Sequence, residues 1–577
     1  MTSKSSVNPE SILAIDFGSV NTRALLFDVV EGQFHFIASG TAPSTVGAPF
    51  YDVGESLHYA LGNLTSVTGR IFTDPDSGHL ILPTQPDGSG ADRLVASISA
   101  GKRLNIFASG LLDEVSLSSA RRLADSTYGD VVIEIGLGDL RSLEEQVDAI
   151  LQARTELILL AGGTEGGASR SIARAVELIS MVCRMLPKPE RPVVVFSGNS
   201  ALGDKVKEII EKMTNVYIAP NIRPSIDVED LGPSMKELAE IVGLVRTQQI
   251  GGLVGLGKIS STPLLPTAYA FGRMVRFFSR IYRADKPVLG VDLGASSTTL
   301  AVGNAGELSL NVYPYGMGQG VEAALNESRI EDFMQWITDE ISEKDVLDAL
   351  WNKRLYPGSI PMTSQALEIE LALARQNLQL AMRKLSRSLP DLTPQFEPIV
   401  ITGAVLSHTP TRGQALLALL DGLQPVGVST VAIDPNGVLA ASGTIADANA
   451  LLPAQVADSG ALISLGTIIC PLCKARRGTS ILRARLEYDN GREIRSEIKQ
   501  GTITVLPLPT GRSAHLNLEP LQTVYINPEK RSGVVNLKVT GGACGVVIDA
   551  RGRPIQLPKN AEDRSHLLKQ WRKILDR

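Results

Sequence analysis

The sequence predicts an α/β protein with a duplicated core, an inserted α/β lobe and a C-terminal all-β module. Three observations carry this. The segment ILAIDFGSVNTRALLFD, residues 12–28, returns as VLGVDLGASSTTLAVGN at 288–304, with the two Asp 276 positions apart (292 − 16). Short apolar runs between the copies each lead into a helix-like stretch, the mark of a parallel sheet covered on both faces. After Pro453 the pattern becomes short alternations of apolar and polar residues, as at 503–506 and 535–539. Gly is plentiful, at 53 residues, and aromatics are only 5%, which suits many tight strand-to-helix turns.

The elements follow in order. Residues 1–10 are polar and read as a disordered leader, not as a signal peptide. Strands are expected at 12–17, 22–29 and 34–38, joined by turns at 18–21 and 31–32, where Asn21 and Gly32 suit tight geometry. Residues 70–93 carry Asp-Pro-Asp-Ser-Gly and Gln-Pro-Asp-Gly-Ser-Gly, which is loop chemistry. Within 101–255, strands at 104–108, 131–135, 157–160, 193–196 and 216–218 alternate with helices that Ser116 and Ser142 can cap. A helix at 267–282 precedes the second copy of the repeat, helices follow at 328–350 and 364–388, and strands at 398–402 and 428–433 each lead into a helix. The last helix, 561–575, is basic. These readings divide the chain into a first half at 11–100, the α/β lobe at 101–266, a second half at 267–452 and the β-rich module at 453–577.

Each repeat reads strand, Asp-x-Gly-x-x-x-Thr, strand. The chemistry suits a nucleotide phosphate. A buried strand delivers Asp16 or Asp292 to a sheet edge, where it can hold Mg²⁺ through water, because Mg²⁺ dehydrates reluctantly. Gly18 and Gly294 let the backbone approach an anion. Turn amides and the side chains of Ser19, Asn21 and Thr22, and of Ser296, Ser297 and Thr298 beside Ala295, can donate to phosphate oxygens, with Arg23 near the first turn. A single such turn is ordinary hairpin chemistry; two matched copies point to a pair of loops that clamp a triphosphate from opposite sides.

This pattern resembles the acetate-kinase, sugar-kinase, Hsp70 and actin superfamily, a two-lobed actin-like ATPase fold with a duplicated ribonuclease-H-like core. Residues 16–23 resemble its first phosphate motif and 292–298 its second. ITGAVL at 401–406 resembles the adenosine motif, which would place Gly403 and Ala404 under the nucleoside. The helix at 267–282 and DPNGVLAASGTIA at 434–446 resemble the two hinge segments, with Gly443 packing helix on helix. A narrower resemblance covers residues 10–450. AGGTEGG at 161–167, the second phosphate loop, ITGAVLSH ending at His408 and LQPVGVSTVAID ending at Asp434 are similar to the glutamate-mutase accessory family called MutL or GlmL, unrelated to the mismatch-repair protein of that name. That resemblance implies an ATP- and Mg²⁺-dependent accessory or reactivating chaperone for a coenzyme-B12-dependent mutase. The family's second loop usually reads Asp-x-Gly-Gly-Ala-Thr-Thr-Asp, whereas this chain has Ala295 and Thr299; its adenosine motif has paired glycines, whereas Gly403 is followed by Ala404. Binding is therefore expected more firmly than hydrolysis. A small-molecule kinase, an actin-like filament protein and a non-hydrolysing binding module stay open as alternatives, and no general base stands out.

Other features exclude more than they assign. A net charge of −5, from 56 basic and 61 acidic residues, gives no global pull toward nucleic acid or membrane. No apolar run of about 18 residues is present, and four Cys argue against a disulfide scaffold. The cytoplasm is the expected compartment, a protein the expected partner, with self-association open. The 161–167 turn could bind an anion or pack helix on strand, and Glu165 within it reads as an unpaired carboxylate. Cys470 and Cys473, with Cys544 alone far downstream, read as core-filling rather than as a zinc site. The basic stretch Lys474, Arg476, Arg477, Arg483 and Arg485, with Arg564, Lys569, Arg572 and Lys573, reads as a solvated face or a docking surface for an acidic partner.

Overall fold

Strand Ile12–Phe17 is apolar except at its end, so both its faces can be covered, and it turns back at residues 18–20 into Asn21–Val30. In the computed structural model, which describes residues 10–167, 169–282 and 285–576, these strands form an antiparallel ladder that continues to Gln33–Pro43. On its other side Ile12–Phe17 pairs in parallel with Arg93–Ile98, which pairs in parallel with Leu265–Pro266. The expected leader lies outside the described residues except for Glu10.

The second half repeats this plan. Val288–Leu293 pairs antiparallel with Thr298–Asn304, which pairs with Glu307–Tyr313; on the other side it runs parallel to Ile399–Thr402, which runs parallel to Gly427–Asp434. Asp16 stands opposite Arg23 and Ser97, and Asp292 stands opposite Thr299 and Thr402. The duplication read from the sequence is therefore a duplication of sheet topology, register included, and the fold is the two-lobed actin-like ATPase fold. The α/β lobe is inserted between the last two strands of the first sheet. Its five parallel strands lie in the order Gly129–Ile135, Leu104–Ser109, Leu157–Leu160, Val193–Phe196, Val216–Ile218. The helix Leu143–Gln152 opens with a capping box between Ser142 and Glu145, whereas Ser116 falls inside a wider, π-helical turn, Asp113–Leu117, ahead of the helix Ser118–Ala124.

Two helices hold the halves together. Thr267–Ile281 crosses Val438–Ile445 so closely that a Cβ on Gly443 would stand 1.8 Å from the carbonyl oxygen of Ala270. Only glycine fits this crossing.

The region after Pro453 joins the core rather than standing beside it. Ile463–Cys470 pairs with Gly427–Asp434, and Val546–Asp549 and Ile503–Leu506 extend the sheet to eight strands. A separate four-stranded antiparallel sheet, with Ser480–Tyr488 and Ser513–Pro520 at its centre, packs on this extension. Cys470 and Cys544 are buried in the apolar core, and burial pushes the Cys470 thiol up to about 12. The terminal helix Ala561–Leu575 docks through Leu567, Leu568, Trp571 and Leu575.

A buried ionic cluster fastens this extension. Arg551, with its side chain 0% exposed, binds Asp421 at 2.6 Å and Asp549 at 2.8 Å. Arg375 also binds Asp421, at 2.7 Å, and Arg553 binds Asp549, at 2.8 Å. The Trp571 ring lies 4.6 Å from the Arg551 guanidinium carbon. Burial alone would raise the Asp549 carboxyl, but the Arg551 and Arg553 guanidiniums hold it well below the usual carboxylate range. Removing one member of such a cluster strands the opposite charge. Arg551→Met is therefore expected to cost about 3–5 kcal/mol in urea denaturation; a loss typical of an exposed ion pair, about 1 kcal/mol or less, would contradict this account.

Candidate functional site

The two Asp-x-Gly loops close in the same way. The Gly18 amide donates to the Asn21 carbonyl at 3.0 Å, and the Gly294 amide to the Ser297 carbonyl at 2.9 Å. They face each other, and the hydroxyls of Ser19 and Ser296 share a hydrogen bond of 2.6 Å across 277 positions of sequence. The two repeats are therefore in direct contact at this point.

The carboxylates behind the loops differ. Asp16 accepts hydrogen bonds from Ser97 Oγ at 2.9 Å and from Thr267 Oγ1 at 2.6 Å. Among the described residues, nothing donates a hydrogen bond to Asp292. Burial, then the charge of Asp16, and more weakly that of Asp434, push the Asp292 carboxyl up to about 7, with Arg23 opposing. Burial also raises the phenol of Tyr128, in the inserted lobe, with the charges of Asp292 and Asp16 adding to it. A half-buried carboxylate with no donor, beside a second carboxylate, favours a proton or a metal cation.

The side chains at the loops divide into two groups. Asn21 and Ser297, at equivalent positions, have no side-chain partner among the described residues. Thr22 and Thr298, also equivalent, are 0% exposed and spend their hydroxyls on the fold: Thr22 donates to Ser56 Oγ at 3.0 Å and Thr298 to the Tyr315 carbonyl at 2.6 Å. In this structure neither threonine hydroxyl is free for a phosphate. The Arg23 guanidinium lies over Gly437, 3.2 Å from where a Cβ would stand.

Gly403 ends the strand Ile399–Thr402 with φ 114°, and a Cβ there would stand 2.3 Å from the Leu293 carbonyl oxygen. Its neighbour Ala404 is exposed, so the methyl that replaces a glycine of the family pattern projects into open space. Ala295 is held from behind: its carbonyl accepts from the amides of Gly318 at 2.8 Å and Gly320 at 3.2 Å. This GMGQG segment, 316–320, is part of the site that the sequence reading missed; its glycines follow no strand-plus-Asp pattern, and only the folded contact with Ala295 assigns them. Asp434, which the sequence places in a hinge segment and at the end of a family-like stretch, has a local structural role. Its carboxylate accepts from the amides of Asn436, Gly437, Val438 and Leu439 at 2.7–3.2 Å and so fixes the start of the helix Val438–Ile445.

Elsewhere, Glu165 is not unpaired: it accepts from Ser200 Oγ and from Asn221 Nδ2. These bonds tie the glycine-rich turn to the neighbouring loops.

Comparison with known proteins adds the family. The family model described as MutL protein matches residues 12–460. Protein MutL of Clostridium tetanomorphum is 23% identical over 297 residues, which cover 50% of this chain and 57% of that protein. The chain thus spans little more than half the length of the curated relative it matches. Among solved structures, gluconate kinase from Lactobacillus acidophilus aligns over 79% of this chain and 93% of its own, at 10% identity and a TM-score of 0.31. Ethanolamine utilization protein EutJ from Carboxydothermus hydrogenoformans aligns over 76% and 90%, at 8% identity and a TM-score of 0.27. The chain belongs to the MutL protein family.

The state of Asp292 is testable without a ligand. The folded protein holds this proton more tightly than the unfolded chain does, so stability falls as pH rises from about 4 to about 7 and levels off above that. Asp292→Asn removes this slope. Above about pH 7 it is expected to raise stability by roughly 1–4 kcal/mol in the absence of metal and nucleotide, measured by thermal or urea unfolding; a less stable variant there would refute the assignment.

Proposed function

We propose that this chain binds ATP with Mg²⁺ between the Asp16 and Asp292 loops and uses closure of the cleft to act on a partner protein, a B12-dependent mutase-type enzyme. The observation that carries this reading is the meeting of the two equivalent loops at Ser19 and Ser296, with the undonated carboxylate of Asp292 beside Asp16. Asp16 and Asp292 would hold Mg²⁺ through water. The loop amides, the side chains of Ser19, Asn21, Ser296 and Ser297, and Arg23 would receive phosphate oxygens. Gly403 and Ala404 would underlie the nucleoside. Bound ATP supplies a negative charge that both loops attract, and its hydrolysis removes the group that bridges them.

Membership of the MutL family supports an accessory role, and a mutase-type partner is in keeping with it. Linkage then requires that nucleotide state and partner affinity change together. Among the described residues, no helix is long and apolar enough to cross a membrane.

Calorimetric titration tests the site. Asp16→Asn and Asp292→Asn are each expected to weaken Mg²⁺-ATP binding at least about tenfold, roughly 1.4 kcal/mol, while metal-free ATP binds Asp292→Asn no more weakly than wild type. Unchanged Mg²⁺-ATP affinity in both variants would sink the assignment.

A further inference from the structure

The inserted lobe carries a second site built on different logic. Numbered within the lobe, its parallel strands lie in the order 2-1-3-4-5, since Leu104–Ser109 is flanked by Gly129–Ile135 on one side and Leu157–Leu160 on the other. In such sheets the loops leaving the first and third strands diverge to opposite faces, and the crevice outside their carboxyl ends is where ligands bind. Here that crevice holds a cavity of about 40 Å³, lined among others by Ser109, Gly110, Gln146, Ser171, Arg174 and Leu178.

Three features of this cavity point to a bound group. Ser109 is 3% exposed, yet among the described residues its hydroxyl has no hydrogen-bond partner. Strand alternation places it on the same face as Phe107, which packs among Ile133, Val147 and Ile172. That is the face covered by the helices Leu143–Gln152 and Arg170–Met185, between which the cavity opens. The hydroxyl faces the cavity, where water satisfies it, and an oxyanion would take that water's place. The helix Arg170–Met185 starts at the cavity, and no side chain of its N-cap residue, Ser169, accepts from its first-turn amides. Arg174 stands one turn further along, exposed and, among the described residues, without an ion pair. The carboxylate at the rim, Asp139, is already neutralised by Arg141.

We infer that this crevice binds a compact oxyanion of phosphate type. Ser109 donates from the floor, the amides at the start of Arg170–Met185 donate from one wall, and Arg174 supplies the charge at the mouth. A phosphate or a phosphoryl group suits this donor set, and any remainder of the ligand leaves past Arg174. The site depends on none of the residues proposed to hold ATP.

The test is titration of the full chain with inorganic phosphate and, separately, with glycerol 3-phosphate, comparing wild type with Arg174→Gln, Ser109→Val and Asp292→Asn. Saturable binding is expected, weakened at least about tenfold by Arg174→Gln and by Ser109→Val and retained in Asp292→Asn. Tighter binding of the ester than of the free ion, or the reverse, supports the site equally and identifies its source. Arg174 is exposed, so its variant keeps the fold and decides the matter if Ser109→Val does not fold. No saturable binding in wild type, equal binding in Arg174→Gln, or loss of binding in Asp292→Asn would overturn the inference.

Discussion

The contact on which the molecule depends is the crossing of Thr267–Ile281 over Val438–Ile445, with the Gly443 backbone against the Ala270 carbonyl. Each helix starts at the candidate site. Thr267, the first residue of one, donates to Asp16; the amides that open the other are gathered by Asp434, whose charge is felt by Asp292. The joint between the halves and the carboxylates between them are thus one assembly. A ligand that redistributes charge at Asp16 and Asp292 acts directly on the elements about which the halves would turn, and no longer route of communication is needed.

The duplication makes the differences between the halves informative. Register places Ser97 and Thr402 at matching positions, yet Ser97 donates to Asp16 whereas Thr402 turns to the Asp434 carbonyl. One carboxylate is satisfied by the protein and the other is left with the neighbouring charge. The first loop, whose sequence is nearer the family pattern, is thus the preorganised one. The second, changed at Ala295 and Thr299, is braced from outside by 316–320.

Much of this was legible in the sequence because it depends on local pattern. The paired Asp-x-Gly turns, the strands 157–160, 193–196 and 216–218 and the Ser142 cap follow from residue type and spacing, and the role of Gly443 follows from the resemblance of 434–446 to a hinge segment. What was not legible depends on direction and on partners distant in sequence. Thr22 and Thr298 look identical to the other hydroxyls of their turns, but strand alternation turns them inward to Ser56 and Tyr315. The helix Gly54–Thr68 went unread because its buried face is Ser56, Ala60, Leu61 and Leu64, too weakly apolar to show a period. Helix Gly232–Gln249 was missed too, with Ser234, Gly243 and Arg246 among its buried residues.

The strands contributed after Pro453 have a consequence for how this protein can be divided. Gly427–Asp434 lies inside a sheet only because Ile463–Cys470 pairs along its outer side. A chain ending near residue 453 would turn an interior strand into a bare edge rich in Val and Ile, with its amides and carbonyls open to any passing strand. It would also leave Asp421 and Arg375 without the rest of their ionic cluster. Residues 12–460 are recognisable as a family unit by descent, but they are not a unit of folding. A fragment cut to the family boundary would be prone to aggregate, and the C-terminal segment is in effect a built-in solubility device for the duplicated core.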